Sequence, residues 1–197
     1  MPTLSRPLVL ASASPRRREL LQQAGVAFTV EVSAVAEDLH PLTPPEEAAL
    51  ELAERKARAV ATRMGDRNVL VLAADTIVAL DTRMLGKAAD AHEAAAMLRA
   101  LSGTRHRVIT GVCALRTRDL ALSRGFERTF VTMRSITEQE VAAYVASGEW
   151  KDKAGAYAIQ ETADRFVTQL EEGGFDNVVG LPVALSLRLL TELDARG

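Results

Sequence analysis

Along the chain, short unbroken apolar runs alternate with stretches in which apolar residues recur at helical spacing, the order expected of an α/β protein. Leu8-Val-Leu-Ala11 is long enough for one buried strand. Ser12 and Ser14 follow as loop or cap residues, and Pro15 suits the first position of a helix, where its fixed φ helps and its missing N–H costs nothing. Leu20, Leu21 and Ala24 supply that helix's inward face, and Gly25 is a natural residue to end it. Val26 to Val32 is apolar and β-branched and predicts a second strand. Thr43-Pro-Pro-Glu46 has capping-box spacing and predicts an alanine-rich helix to Met64, closed by Gly65 and carrying Ala49, Ala53, Lys56 and Val60 on one face. Val69 to Ala74 predicts a central strand that stops at Asp75-Thr76 and resumes over Ile77 to Leu80.

The second half continues the alternation. Asp81-Thr82 reads as a hairpin turn, and Asp90 as the cap of a helix from Ala91 to about Leu101 that ends at Ser102-Gly103. Arg105 to Arg116 and Ala121 to Arg134 are long strand patterns separated by Arg118-Asp119, which predicts an antiparallel hairpin. Thr137-Glu-Gln-Glu140 is a second capping box, opening a short helix to about Ala146. Phe166 to Leu170 predicts a further strand and Glu171 to Gly174 a turn. Asn177-Val-Val-Gly-Leu-Pro182 leads into a last helix through Leu193, with Leu185, Leu189 and Leu190 on one face. No repeat, low-complexity tract or long linker divides the 197 residues, so residues 1–197 are expected to form a single α/β domain.

Composition narrows the partners. A net charge of -2 gives no global attraction to nucleic acid or to an anionic membrane, so any phosphate recognition must be local, which favours a small ligand over a polymer. No stretch approaches the ~20 apolar residues of a membrane span, and Met1 to Pro7 carries no apolar segment of the signal-peptide kind. Cys113, the single cysteine, excludes an internal disulfide and a cysteine-cluster zinc site, and a cytoplasmic setting is the expectation.

The candidate chemistry is concentrated in a few places. Arg16, Arg17 and Arg18 crowd the first turn of a helix whose N-terminus is already partly positive, so an anion is expected there, met by free backbone N–H groups, the serine hydroxyls and guanidinium forks. At about 100° per residue, Arg17 falls on the inward face, Arg16 on its flank and Arg18 outward. Lys56 lies on the buried side of its helix, so its ammonium reaches toward an interior edge. Asp75 puts a carboxylate at the end of a buried run, where α/β proteins bind ligands. Leu85-Gly86-Lys87 adds a second lysine beside a glycine. Lys151 to Gln160 forms another polar cluster, with a closely approached backbone at Gly155 and both donor and acceptor on Gln160, taken as lying at a strand end.

His40, His92 and His106 are scattered, and there is no G-x-S-x-G elbow. What remains is Arg16, Arg17, Lys56 and Lys87 as phosphate partners, with Glu37 and Asp75 as carboxylates. Such a set is what a magnesium-dependent phosphoanhydride hydrolase requires: hard oxygen ligands for the metal, cations for the phosphate charge, and one carboxylate to activate water.

The chain resembles the Maf nucleoside triphosphate pyrophosphatases. The resemblance rests on Ala11-Ser-Ala-Ser-Pro-Arg-Arg17, Ala73-Ala-Asp-Thr-Ile-Val78, Leu85-Gly-Lys87, Met97-Leu-Arg-Ala-Leu-Ser-Gly103 with Thr110-Gly-Val112, Asp152-Lys-Ala-Gly-Ala-Tyr-Ala-Ile-Gln160 and Val178-Val-Gly-Leu-Pro182, in an order that runs through nearly the whole chain. It implies an elongated, strongly bent mixed sheet flanked by helices, two lobes around an active-site cleft, and a homodimer. It also implies divalent-metal-dependent cleavage (Mg2+ or Mn2+) between the α and β phosphates of a nucleotide. Residue by residue, Asp75 matches the proton acceptor, and Glu37 with Asp75 the metal position. Ser12, Arg16, Arg17, Lys56 and Lys87 match phosphate-binding positions, and Arg16, Thr76 and Gln160 positions associated with substrate choice.

The Asp-Lys-Ala-Gly-Ala-Tyr-Ala-Ile-Gln segment resembles the branch acting on dTTP and UTP. A neutral glutamine suits the imide edge of thymine or uracil, two acceptors flanking one donor. A pyrophosphatase acting on 7-methyl-GTP or another modified nucleotide is the second reading, and a non-enzymatic regulator of septum formation, a role the family is also linked to, the third. The chain departs from the family pattern at Glu161, where glycine is usual, and at Ala88, where proline usually follows Gly-Lys.

Overall fold

The computed structural model describes residues 4–40 and 42–196. A mixed sheet carries strands β1 (Leu8–Leu10), β2 (Thr29–Val30), β3 (Leu70–Leu80), β4 (Arg83–Leu85), β5 (Arg105–Arg116), β6 (Leu122–Met133) and β7 (Val167–Glu171). The helices are α1 (Pro15–Gln23), α2 (Pro45–Met64), α3 (Ala91–Leu101), α4 (Glu138–Ser147), α5 (Phe175–Val179) and α6 (Val183–Ala195), with a 3-10 turn over Thr162–Phe166. Six strands lie in the order β2-β1-β3-β5-β6-β7, and β4 pairs with β3 off that path. β1 is parallel to both β2 and β3, whereas β4 on β3 and β7 on β6 are antiparallel. The α/β class and the mixed sheet are those expected from the sequence.

The chain forms two compact units. One takes in the chain through Asp75, Thr110–Glu127 and the chain from Gly180 onward; the other takes in Thr76–Ile109 and Arg128–Val179. In the first unit, alternate residues of β1 and β3 feed opposite faces. Leu8, Leu10, Leu70, Leu72 and Ala74 pack with Leu21 of α1 and Leu185, Leu189 and Leu190 of α6. Val9, Val71 and Ala73 pack on the other side with Ala53, Ala57 and Val60 of α2 and with Cys113. Burial pushes the Cys113 thiol up to about 12, so it serves as a small hydrophobe rather than a nucleophile. Gly111 lets α2 approach β5 at backbone distance: a Cβ there would stand 2.3 Å from the Ala49 carbonyl oxygen. In the second unit Leu98, Leu101, Val108, Val131, Met133, Tyr144, Tyr157 and Phe166 share one core.

Four elements differ from the sequence reading. The strand expected over Val26 to Val32 is confined to Thr29–Val30, an edge strand whose Thr29 is exposed, and Val32 beyond it is exposed as well. β3 does not stop at Asp75; it runs unbroken from Leu70 to Leu80. Thr43 is not a cap: Pro44 holds the N-cap position of α2 without a side-chain bond, and the helix starts on Pro45. Residues 175–179 form a separate short helix rather than a lead-in to α6. The other caps follow the sequence. Asp90 accepts from the Glu93 N–H, and Thr137 and Glu140 make both arms of the capping box.

Candidate active site

The site is built on β1, α1, α2 and β3 of the first unit. Past Leu10 the chain turns at Ser12, whose buried hydroxyl accepts the Ser14 N–H at 3.1 Å. Ser14 then caps α1, its hydroxyl accepting the Arg17 N–H at 3.4 Å. No acidic residue stands in the first turn to balance the helix N-terminus.

The three arginines separate as the helical geometry requires. Arg18 is exposed. Arg17 turns inward: its Nε donates to the Gly180 carbonyl at 2.7 Å and its Nη1 reaches the Ser12 hydroxyl at 3.5 Å. Burial pushes the Arg17 guanidinium below the ordinary arginine range; the Asp75 and Glu37 carboxylates oppose that shift and Arg16 adds to it. The same charges that act on Arg17 are therefore those of the candidate site. On the flank, the Nε of Arg16 is buried with no hydrogen-bond partner among the described residues. Leaving such a donor unmet costs on the order of 1–3 kcal/mol, which an anion at the helix start would recover.

Lys56 is where the two carboxylates meet. Counting by twos from Val71 and Ala73 puts Asp75 on the sheet face covered by α2, which explains why Lys56, on the inner side of that helix, finds it. The Lys56 ammonium donates to Asp75 Oδ1 and, at 2.8 Å, to Glu37 Oε1. Asp75 is 7% exposed, and an ion pair explains how a carboxylate is tolerated in the middle of a buried strand. Its Oδ2 accepts no hydrogen bond from any described residue. Glu37 comes from the loop after β2 and is exposed.

Among the described residues no group of three His, Cys, Asp or Glu side chains stands ready to hold a metal ion. Glu37 and Asp75 nevertheless converge on one cationic point. Magnesium bound with a nucleotide takes one or two carboxylates and completes its shell with phosphate oxygens and water, so the pair fits a metal that arrives with its substrate.

Thr76, Lys87 and Gln160 belong to the second unit. Thr76 follows Asp75 on β3 and is half-buried. Lys87 is exposed, and its backbone pairs with Ala154 in an isolated antiparallel bridge. The Gly155 N–H beside it donates to the carbonyls of Leu85 at 3.2 Å and Gly86 at 3.0 Å. Two motifs far apart in the chain thus lie side by side. Gly155 has φ +68°, and a Cβ there would meet Val78 at 3.0 Å, so the close approach expected from the sequence comes from Val78. Gln160 is exposed and lies in a turn, not at a strand end, because residues 151–160 contain no strand.

Gly111, which sets the height of α2 over the sheet, and Gly180, whose carbonyl holds Arg17, support the site although the sequence does not single them out. Both act through backbone atoms, and only the apolar setting of each glycine hints at close approach.

Comparison with known proteins places most of the chain in one family. The sequence profile of the family described as Maf-like protein matches residues 7–193. A dTTP/UTP pyrophosphatase of Deinococcus radiodurans is 49% identical over 191 residues, covering 96% of this chain and 95% of that protein. A dTTP/UTP pyrophosphatase of Pelotomaculum thermopropionicum is 48% identical over 177 residues, covering 90% and 91%. A third, from Bacillus mycoides, is 45% identical over 190 residues, covering 96% and 97%. With arginines at a helix start, a buried strand carboxylate and a lysine between two acids already in place, these likenesses settle the family: the chain belongs to the Maf-like proteins.

Proposed function

We propose that this protein is a nucleoside triphosphate pyrophosphatase that hydrolyses dTTP and UTP to the monophosphate and pyrophosphate. The observation that carries the proposal is the buried Asp75 carboxylate, held by Lys56 at Oδ1 with Oδ2 left open, in a unit that also carries an unmatched guanidinium donor. The relatives named as dTTP/UTP pyrophosphatases support the substrate class.

In this reading Arg16, Arg17 and Ser12 bind the triphosphate at the N-terminus of α1, where backbone N–H groups add to the guanidinium charge. Asp75 Oδ2 accepts a proton from the water that attacks the α-phosphorus, and the bond between that phosphorus and the oxygen bridging to the β-phosphorus breaks, so pyrophosphate leaves intact. Lys56 keeps Asp75 oriented and places a positive charge beside the reacting phosphate. Glu37 and Asp75 would hold a divalent cation, Mg2+ or Mn2+, which when bound neutralises phosphate charge and polarises the water. Lys87 contributes to phosphate binding, and Thr76 and Gln160 to base selection. A cytoplasmic homodimer completes the proposal. No helix among the described residues is long and apolar enough to cross a membrane.

The test is a panel of canonical and modified nucleoside triphosphates with separate detection of pyrophosphate and phosphate, with and without Mg2+ or Mn2+. We expect metal-dependent pyrophosphate release with the highest kcat/KM on dTTP and UTP. A preference for 7-methyl-GTP would favour the modified-nucleotide reading, and release of phosphate alone would overturn the assigned bond.

A further inference from the structure

We propose that Glu161 is a positioning residue for base selection, acting through Lys153 on the turn that presents Gln160. The inference rests on the reading of the chain as a pyrophosphatase whose Gln160 meets the base. Its structural ground is the way residues 153–162 are fastened in the second unit.

Lys153 is 8% exposed, unusual for a lysine, and its ammonium has two protein partners: it donates to the backbone carbonyl of Glu149 and, at 2.8 Å, to Glu161 Oε2. The Glu149 carboxylate in turn accepts the Thr162 N–H at 3.0 Å and the Thr162 hydroxyl. Glu161, through Lys153, and Thr162 directly are therefore both tied to Glu149, just past the end of α4. On the other side of Gln160, the Tyr157 hydroxyl bonds His106 Nε2 at 2.8 Å, and the Ala158 N–H donates to the Tyr144 hydroxyl at 3.3 Å. The Glu161 N–H closes the turn on the Ala158 carbonyl at 3.2 Å.

Residues on both sides of Gln160 are anchored, while the Gln160 amide is exposed and hydrogen-bonds to none of the described residues. That combination, a rigid frame around one open donor–acceptor pair, is what selective recognition of a polar edge requires. Uracil presents an N–H between two carbonyls. Cytosine presents the opposite donor and acceptor at two of those places, and a displaced amide can turn to meet it. Of the ties, the Glu161 carboxylate is the one that a glycine at this position could not supply. Backbone at Glu161 is extended, with φ -119° and ψ -154°, so alanine fits there without strain and a substitution tests the side chain alone.

The experiment measures kcat and KM of the full chain for UTP and CTP in Glu161→Ala, Glu161→Asp and Lys153→Met, with the melting temperature of each recorded. We expect Glu161→Ala to lower the UTP/CTP ratio of kcat/KM about tenfold, a fraction of the loss that a 1 Å misplacement can cause. The change should fall on KM with kcat within about twofold, Lys153→Met should act in the same direction, and Glu161→Asp, which keeps the charge, should restore most of the ratio. An unchanged ratio in Glu161→Ala, or an equal fall in kcat for both nucleotides, overturns the inference while leaving the proposed activity standing. Absence of pyrophosphate release from either nucleotide in the unsubstituted protein overturns that activity and this inference with it.

Discussion

The helix start at Ser12–Arg18 and the turn at Lys151–Thr162 look alike in the sequence, each a dense polar cluster beside apolar runs, yet their side chains are in opposite states. Around the turn, most of the fastening is met from within: Lys153, Glu149, Tyr157 and Thr162 all have protein partners, while the exposed Gln160 amide bonds to none of the described residues. At the helix start the balance is reversed, with the Arg16 Nε buried and unmatched, Arg17 held below its ordinary basicity by burial, and one ammonium shared by two carboxylates. Charge density alone therefore does not mark a reactive site. What separates the two regions is how much of that capacity remains for a ligand.

The largest test of this contrast is Asp75→Asn. The amide keeps the size of the carboxylate but is a poor proton acceptor, and a positioned general base contributes roughly 10²–10⁴ in rate. We expect kcat for pyrophosphate release from UTP to fall about 10³-fold with a much smaller change in melting temperature. Retention of most of the activity would show that the unmatched region is not where the chemistry occurs.

This residue also shows how far the sequence could be read. The carboxylate at the end of an apolar run was visible, and so was Lys56 on an inward helix face. Their meeting was not, because it depends on the face parity of an unbroken β3 and on α2 lying close enough to β5 for Gly111 to be required. A strand that passes through an aspartate violates the local apolar pattern, and only the tertiary ion pair makes it tolerable. The caps of α3 and α4 were legible because a cap is satisfied within a few residues of its own position. β2 is shorter than its sequence pattern predicts for the complementary reason, since apolar β-branched residues on an edge have no second neighbour to extend against. The fastening of residues 153–162 is invisible in the sequence because its partners, His106, Tyr144 and Glu149, come from β5, α4 and the turn after α4.

The second test is of stability and addresses the turn. His106 is buried against Tyr157, and burial pushes its pKa down from 6.5 to about 4. Because the unfolded chain binds the proton more readily, stability contributed by the neutral ring is present above about pH 6.5 and is lost as the pH falls toward 4. That loss amounts to about 3 kcal/mol at most, taking 1.36 kcal/mol per pKa unit. Urea unfolding between pH 7 and pH 4 should show it, and His106→Gln should flatten the slope across that window. Asp119 and Glu140, each held at about 2 by an arginine partner, act below it. A slope unchanged by His106→Gln would remove His106 from the fastening.

The smallest test divides neighbouring arginines and so sharpens the contrast inside the site itself. Arg17 both faces the carboxylates and holds the Gly180 carbonyl, so Arg17→Ala should lower the melting temperature as well as activity. Arg16 has no such tie: its buried Nε is unmatched, and its charge adds to the depression of Arg17. Removing it relieves a local conflict in the free protein and deletes one charge-assisted contact in the complex. Such contacts are worth about 1.5–3 kcal/mol, or roughly 10- to 100-fold in kcat/KM. Arg16→Ala should therefore lose kcat/KM by that amount while the melting temperature holds or rises. If both arginines instead lose stability together, the unmatched donor is not a ligand contact, and the anion expected at the start of α1 must be held by Arg17 and backbone N–H groups alone.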